Sequence, residues 1–269
     1  MRGRPVLLAT LLLVSCLPDR VELSYGLEPG ARRVYRLALD ADISRTLGSD
    51  FRRERVQAVF LARQEIVERL PGGGALANMS LAPSSLTVDG REVRVGPEQE
   101  FVVRLGPDGS VVAIERGAGD QAEPLEPVAI DRLLPQLRPV LPEEAVALGD
   151  RWSSRTEFRD ETGRFTVTLE SHLARLGVYD GRPSALVRTH YLSPVDRRET
   201  FANAVADIRG EDRGAQEAWF ALDGFLVRAT GDSSGTYRIL FRPPGDRPVT
   251  GPVEGSLRVD LHTEMALED

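Results

Sequence analysis

The sequence predicts a mainly β protein built on one long, curved antiparallel sheet, with one or two short helices covering its concave face. Three observations predict it. Apolar and polar residues alternate with period two over runs that exceed ten residues, the mark of half-buried strands. Asp-Gly pairs at 89–90, 108–109, 180–181 and 223–224 separate such runs, and Asp-Gly supplies the positive φ of tight hairpins. Only one stretch, 127–141, carries the apolar spacing of a helix.

The first residues read as a secretory leader. Residues 1–15 contain Arg2 and Arg4, an apolar stretch over 6–14, then small residues. The stretch is too short to span a bilayer as a helix. Leu13-Val14-Ser15-Cys16 resembles the lipobox of bacterial lipoproteins, and Cys16 is the one cysteine of the 269 residues. The resemblance implies cleavage between Ser15 and Cys16, a diacylglyceryl group on the Cys16 sulfur, and acylation of the new amino group. Two or more acyl chains anchor stably where one does not, so the membrane is the first expected partner. In Gram-negative lipoproteins an Asp after the cysteine favours inner-membrane retention. Leu17 stands there instead, which in a Gram-negative cell favours an outer-membrane location facing the periplasm. Residues 16–28 read as a lipid-anchored tether, and 29–269 as a single β domain.

The strands follow in order. Tyr35, Leu37, Leu39, Ala41 and Ile43 share one face, with Arg36, Asp40 and Asp42 opposite. Val56, Ala58, Phe60, Ala62 and Ile66 alternate with Gln57, Arg63 and Glu65. Phe165, Val167, Leu169 and Leu173 form a third row, and Ala185, Val187, Thr189 and Tyr191 a fourth. Tyr237, Ile239 and Phe241 precede a last row of Leu257, Val259, Leu261, Met265 and Leu267. Between the halves, 117–126 reads as an acidic linker. The helix over 127–141 carries Val128, Leu133, Leu134 and Leu137 on one face, and Pro135 splits it into two short pieces. The segment 242–252 is a proline-rich loop. Gly30 to Tyr35 is similar to Gly149 to Trp152, and 105–112 to 220–227 at nearly the same offset; generic hairpin grammar accounts for this ahead of a duplicated half-sheet.

Composition excludes some functions. All 34 basic residues are arginine, against 41 acids, for a net charge of −7. Spread along the chain and outweighed by carboxylates, they make no nucleic-acid footprint. Gly231-Asp232-Ser233-Ser234-Gly235 fits G-x-S-x-G, with Asp246 or Asp260 and then His262 following. A nucleophile elbow must join a strand to a helix. Here strand patterns flank the pentapeptide, so it reads as a hairpin turn. His172, His190 and His262 are solitary and face away from the apolar rows, so no metal is expected. Glu143-Glu144, and Glu157 with Asp160-Glu161, read as solvated charges. Gly72-Gly73-Gly74 lacks the Lys and helix of a phosphate loop and reads as a hairpin loop. No catalytic residue and no cofactor are expected.

One interior phrase remains: Leu141-Pro142, a spacer, then Gly149-Asp150-Arg151-Trp152 leading into a strand. It is similar to a phrase of uncharacterised bacterial lipoproteins, whose architecture resembles the half-barrel of the Lol and mycobacterial Lpr-type lipid carriers. That resemblance implies a half-barrel whose helical lid encloses a cavity for an apolar ligand or lipid. Leu37, Leu39, Phe60, Leu133, Leu137, Val167 and Leu169 would line it. The same residues also suit a solid core. Two functions therefore stand open: a lipid-anchored carrier, or an envelope protein with a filled sheet that meets an unknown protein partner through its edge or acidic surface.

Overall fold

Alternating sequence joined by tight turns favours consecutive antiparallel pairing, because each hairpin lays a strand beside the one before it. The structure is a computed structural model and describes residues 20–116, 137–160, 163–201, 204–242 and 253–268. Among these residues lie twelve strands: β1 (Arg32–Leu47), β2 (Asp50–Arg69), β3 (Ala75–Val88), β4 (Arg91–Glu92), β5 (Gln99–Leu105), β6 (Val111–Arg116), β7 (Arg151–Asp160), β8 (Gly163–Tyr179), β9 (Arg182–Phe201), β10 (Ala204–Ala221), β11 (Phe225–Arg242) and β12 (Val253–Leu267).

The sheet is curved, as expected, and it goes on to close almost completely. β1 pairs with β2 on one side and with β12 on the other, while β2 also takes β3. The ring then runs β3, β5, β6, β7 and on in order to β12, with β4 hung on the end of β3. Every pairing is antiparallel except that of β6 with β7, which is parallel and rests on one register pair, Ala113↔Arg159. That contact is the seam of the barrel.

The turns use the chemistry the sequence advertised. Asp89 and Gly90 both have positive φ (49° and 74°), as do Asp180 and Gly181 (49° and 71°), the type I′ pattern that matches strand twist. Gly72–Gly74 lies in the β2–β3 hairpin. The pentapeptide 231–235 departs from expectation. It is no turn; it lies in the middle of β11, in continuous register with β10 and β12. Its glycines are there for space: a Cβ on Gly235 would overlap the Tyr237 hydroxyl.

The expected helices do not appear among the described residues as elements. Most of 127–141, including Leu133, falls outside the described residues, as do the linker 117–126 and most of the loop 242–252. The described end of the segment, 137–141, packs among inward-facing side chains. Leu137 joins the cluster of β1, β2, β3 and β12, Val140 meets Val167, Leu169 and Tyr191, and Leu141 meets Leu173 and Phe220.

The barrel has two unlike surfaces. Inward positions hold the core, from Leu37, Phe60 and Leu81 to Leu173, Val187 and Phe220. Outward positions hold ion pairs. Arg55 of β2 bonds Asp40 of β1 through both Nε and Nη2 (2.9 and 2.6 Å), and Arg198 of β9 meets Asp207 of β10 (2.7 Å). A lipid-spanning barrel presents an apolar band there instead. No described helix is long and apolar enough to cross a membrane.

Candidate functional site

One end of the barrel is built to be shut. The β2–β3, β5–β6, β8–β9 and β10–β11 turns gather there, together with the starts of β1 and β7. Residues 20–31 cross over this end as an extended strap. Val21 exchanges both backbone hydrogen bonds with Val146 (2.8 and 2.9 Å), Gly26 N–H donates to the Gly224 carbonyl (2.8 Å), and Gly30 N–H donates to Ile66 (2.8 Å).

Tyr25 is the strap's anchor. Its ring packs edge-on against Phe220, with centroids 4.8 Å apart at 73°, an arrangement aromatic pairs prefer. Its hydroxyl donates to the Pro139 carbonyl (2.8 Å). Gly109 lies so close beneath it that a Cβ would overlap the ring, and φ there is +80°. Burial pushes the Tyr25 phenol up to about 12, although the nearby Arg138 pulls it down.

The phrase from Leu141 to Trp152 is the other half of the closure. Leu141 N–H donates to the Asp108 carbonyl in the β5–β6 turn (3.0 Å). Asp150 accepts from Ala147 N–H (2.9 Å) and from Arg20 of the strap (3.4 Å). Gly149, at φ +89°, turns the chain into β7, where Trp152 Nε1–H donates to the Val140 carbonyl (2.8 Å). The motif thus serves to clamp the chain: Trp152 holds the segment that fills the barrel, and Asp150 holds the strap.

Arg138 stands between these parts. It is 9% exposed, its Nη1–H donates to Gln64 Oε1 (2.5 Å), and its guanidinium lies 4.7 Å from the centre of the Tyr25 ring. Arg33 lies over Phe225 at 4.6 Å. Beside them is a space of about 20 Å³, bounded by Tyr25, Tyr35, Arg33, Gln64, Arg138 and Phe225 among others. A second space, about 10 Å³, lies by Leu137, Tyr191, Gln216 and Thr263. Each is about the size of one water. On the outside, a groove of about 540 Å³ crosses β1, β2, β3 and β5, lined by Arg32, Arg63, Glu65, Asn78 and Ser80 among others. Arg32 pairs with Glu65 there, and Arg63 with Glu98 (both 2.8 Å).

Leu37, Leu39, Phe60, Leu137, Val167 and Leu169 are all buried, at 0 to 6% exposure, within two packed clusters. Ser15, Cys16 and Leu133 lie outside the described residues. The sheet separates Ser233 from His262: Ser233 faces inward to the Tyr191 hydroxyl, whereas His262 points out and bonds Asp232 through Nδ1 (2.8 Å). His190 and His262 are exposed and His172 is half-buried. No group of three or more metal-ligating side chains occurs among the described residues. Arg138 escaped sequence reading because a lone arginine within a helical pattern looks like any solvated one. Compared with protein-family models and with curated proteins, the chain matches none.

Proposed function

We propose that this protein is a lipoprotein of the bacterial cell envelope, held by lipid on Cys16, that acts through the outer surface of a filled barrel. In this reading it is a structural or protein-interaction module and not a carrier of acyl chains. One observation carries it. The described residues that would line a lipid cavity are packed in buried clusters, and the two spaces found beside the described core hold about one water each. Ligand pockets run to about 300–1,000 Å³. The outside is a lattice of arginine–carboxylate pairs with a charged groove, a surface suited to another polar macromolecule.

Native mass spectrometry of the full chain, produced in a bacterial envelope and released in detergent, tests the barrel's role. The expected spectrum is the lipidated protein alone, with no uptake of a fluorescent fatty acid. A co-purified lipid beyond the covalent anchor would restore the carrier reading and sink this one. Cys16→Ala tests the anchor separately: it should move the protein from membrane to soluble fractions, and retention on the membrane would refute lipidation.

A further inference from the structure

Arg138 presents an unresolved charge. A guanidinium is always protonated, and taking one out of water costs several kcal/mol unless a counter-charge answers it. Outside the barrel arginines such as Arg32, Arg55, Arg63 and Arg198 have such partners. Among the described residues Arg138 has none: it bonds the neutral amide oxygen of Gln64 and the Tyr25 side chain, its guanidinium lies on the Tyr25 ring, and its Nε–H is buried with no acceptor. Arg33, the second cation on the same space, donates to the Arg32 carbonyl (2.7 Å) and covers Phe225. The described residues lining that space include two arginines, two tyrosines and a glutamine, and neither Asp nor Glu. Tyr35 feels both cations, which pull its phenol down against the larger upward push of burial.

We propose that the space between Arg138, Arg33, Gln64, Tyr25 and Tyr35 is a binding site for a small monovalent anion of halide size, chloride under ordinary conditions. Its volume, about 20 Å³, is on the scale of one water or one monatomic ion. A water would fit as well, but it leaves the guanidinium charge unanswered. The anion would tie the filler segment (Arg138) to the barrel wall (Arg33 and Tyr35 of β1, Gln64 of β2) and to the strap (Tyr25). It would thereby act as a small rivet of the closed end. The inference stands apart from lipidation and from any partner on the outer surface.

Thermal unfolding of the full chain in detergent, in sodium chloride or bromide against sodium gluconate at equal ionic strength, gives the test. Halide should raise the midpoint by about 3 °C for each tenfold increase above its dissociation constant. Arg138→Met should abolish that increment, while Arg55→Met, on the outside, should keep it. Crystals grown in bromide should give an anomalous peak within hydrogen-bonding distance of Arg138, a reading that does not depend on the variant folding. Equal midpoints in halide and gluconate, or bromide found only at surface arginines, would overturn the proposal.

Discussion

Arginine plays two different parts on the two sides of this barrel wall. Outside, Arg55 sits on Asp40, Arg198 and Arg242 share Asp207, and Arg258 meets Asp260. The register explains it, since β1–β2 and β9–β10 pairing places acid and base within two residues of one another on the same face. The Arg55 hydrogen bond, above all, holds the Asp40 carboxyl below the ordinary range, and Arg198 does the same for Asp207. Inside, Arg138 and Arg33 meet ring faces, an amide and a backbone carbonyl. The contrast teaches that position, not residue count, sets what an arginine contributes. In water a pair adds little because the solvent already satisfies both charges. Behind the strap, the Arg138 guanidinium meets Gln64 and Tyr25, both far from it in the chain.

Perturbing the closed end should therefore do far more than perturbing the lattice. Phe220, fully buried under Tyr25, should cost about 3–5 kcal/mol when replaced by alanine, read from urea unfolding. A loss below about 1 kcal/mol would mean that the strap packs loosely. Alkaline pH should come next. The Tyr25 and Tyr191 phenols are raised by burial to about 12 from 10. Between those values the folded state keeps protons that the unfolded chain releases, so stability is full below pH 10 and falls as pH rises to 12. The slope should approach roughly 1.4 kcal/mol per pH unit for each phenol, and Tyr25→Phe should make it visibly shallower. An unchanged slope would remove Tyr25 from the buried set.

Trp152→Phe should follow, at about 1–2 kcal/mol, because it strands the Val140 carbonyl. Chemical denaturation with the fluorescence of Trp219 as reporter measures it. Arg55→Ala should have the smallest effect, a shift in Tm of no more than about 2 °C, since its partner remains solvated. A larger shift would show that the outer lattice is cooperative and that the two surfaces differ less than their burial suggests.

Much of this was readable from residue patterns. The row from Tyr35 to Ile43 faces inward as alternation requires, and the Asp-Gly pairs at 89–90 and 180–181 turn as their φ preference dictates. The pentapeptide 231–235 misled because Gly, Asp and Ser read as a turn wherever composition is the guide. Its glycines are extended and make room for neighbouring side chains, and that demand arises only once β10 and β11 lie side by side. The Leu-Pro to Gly-Asp-Arg-Trp phrase stands out as a motif, but its partners Leu173 and Arg20 are brought near only by folding.

Local patterning thus settled the strand class, the facing of each row and most hairpins, because side-chain period and turn chemistry act over a few residues. Closure of the sheet through β1–β12, the strap over one end, and the burial of Arg138 were decided in three dimensions. Each depends on residues far apart in the chain: Arg138 meets Gln64 across 74 positions, and Arg20 meets Asp150 across 130. No local signal marks such a meeting, since a charge is costly or cheap only according to what excludes water from it.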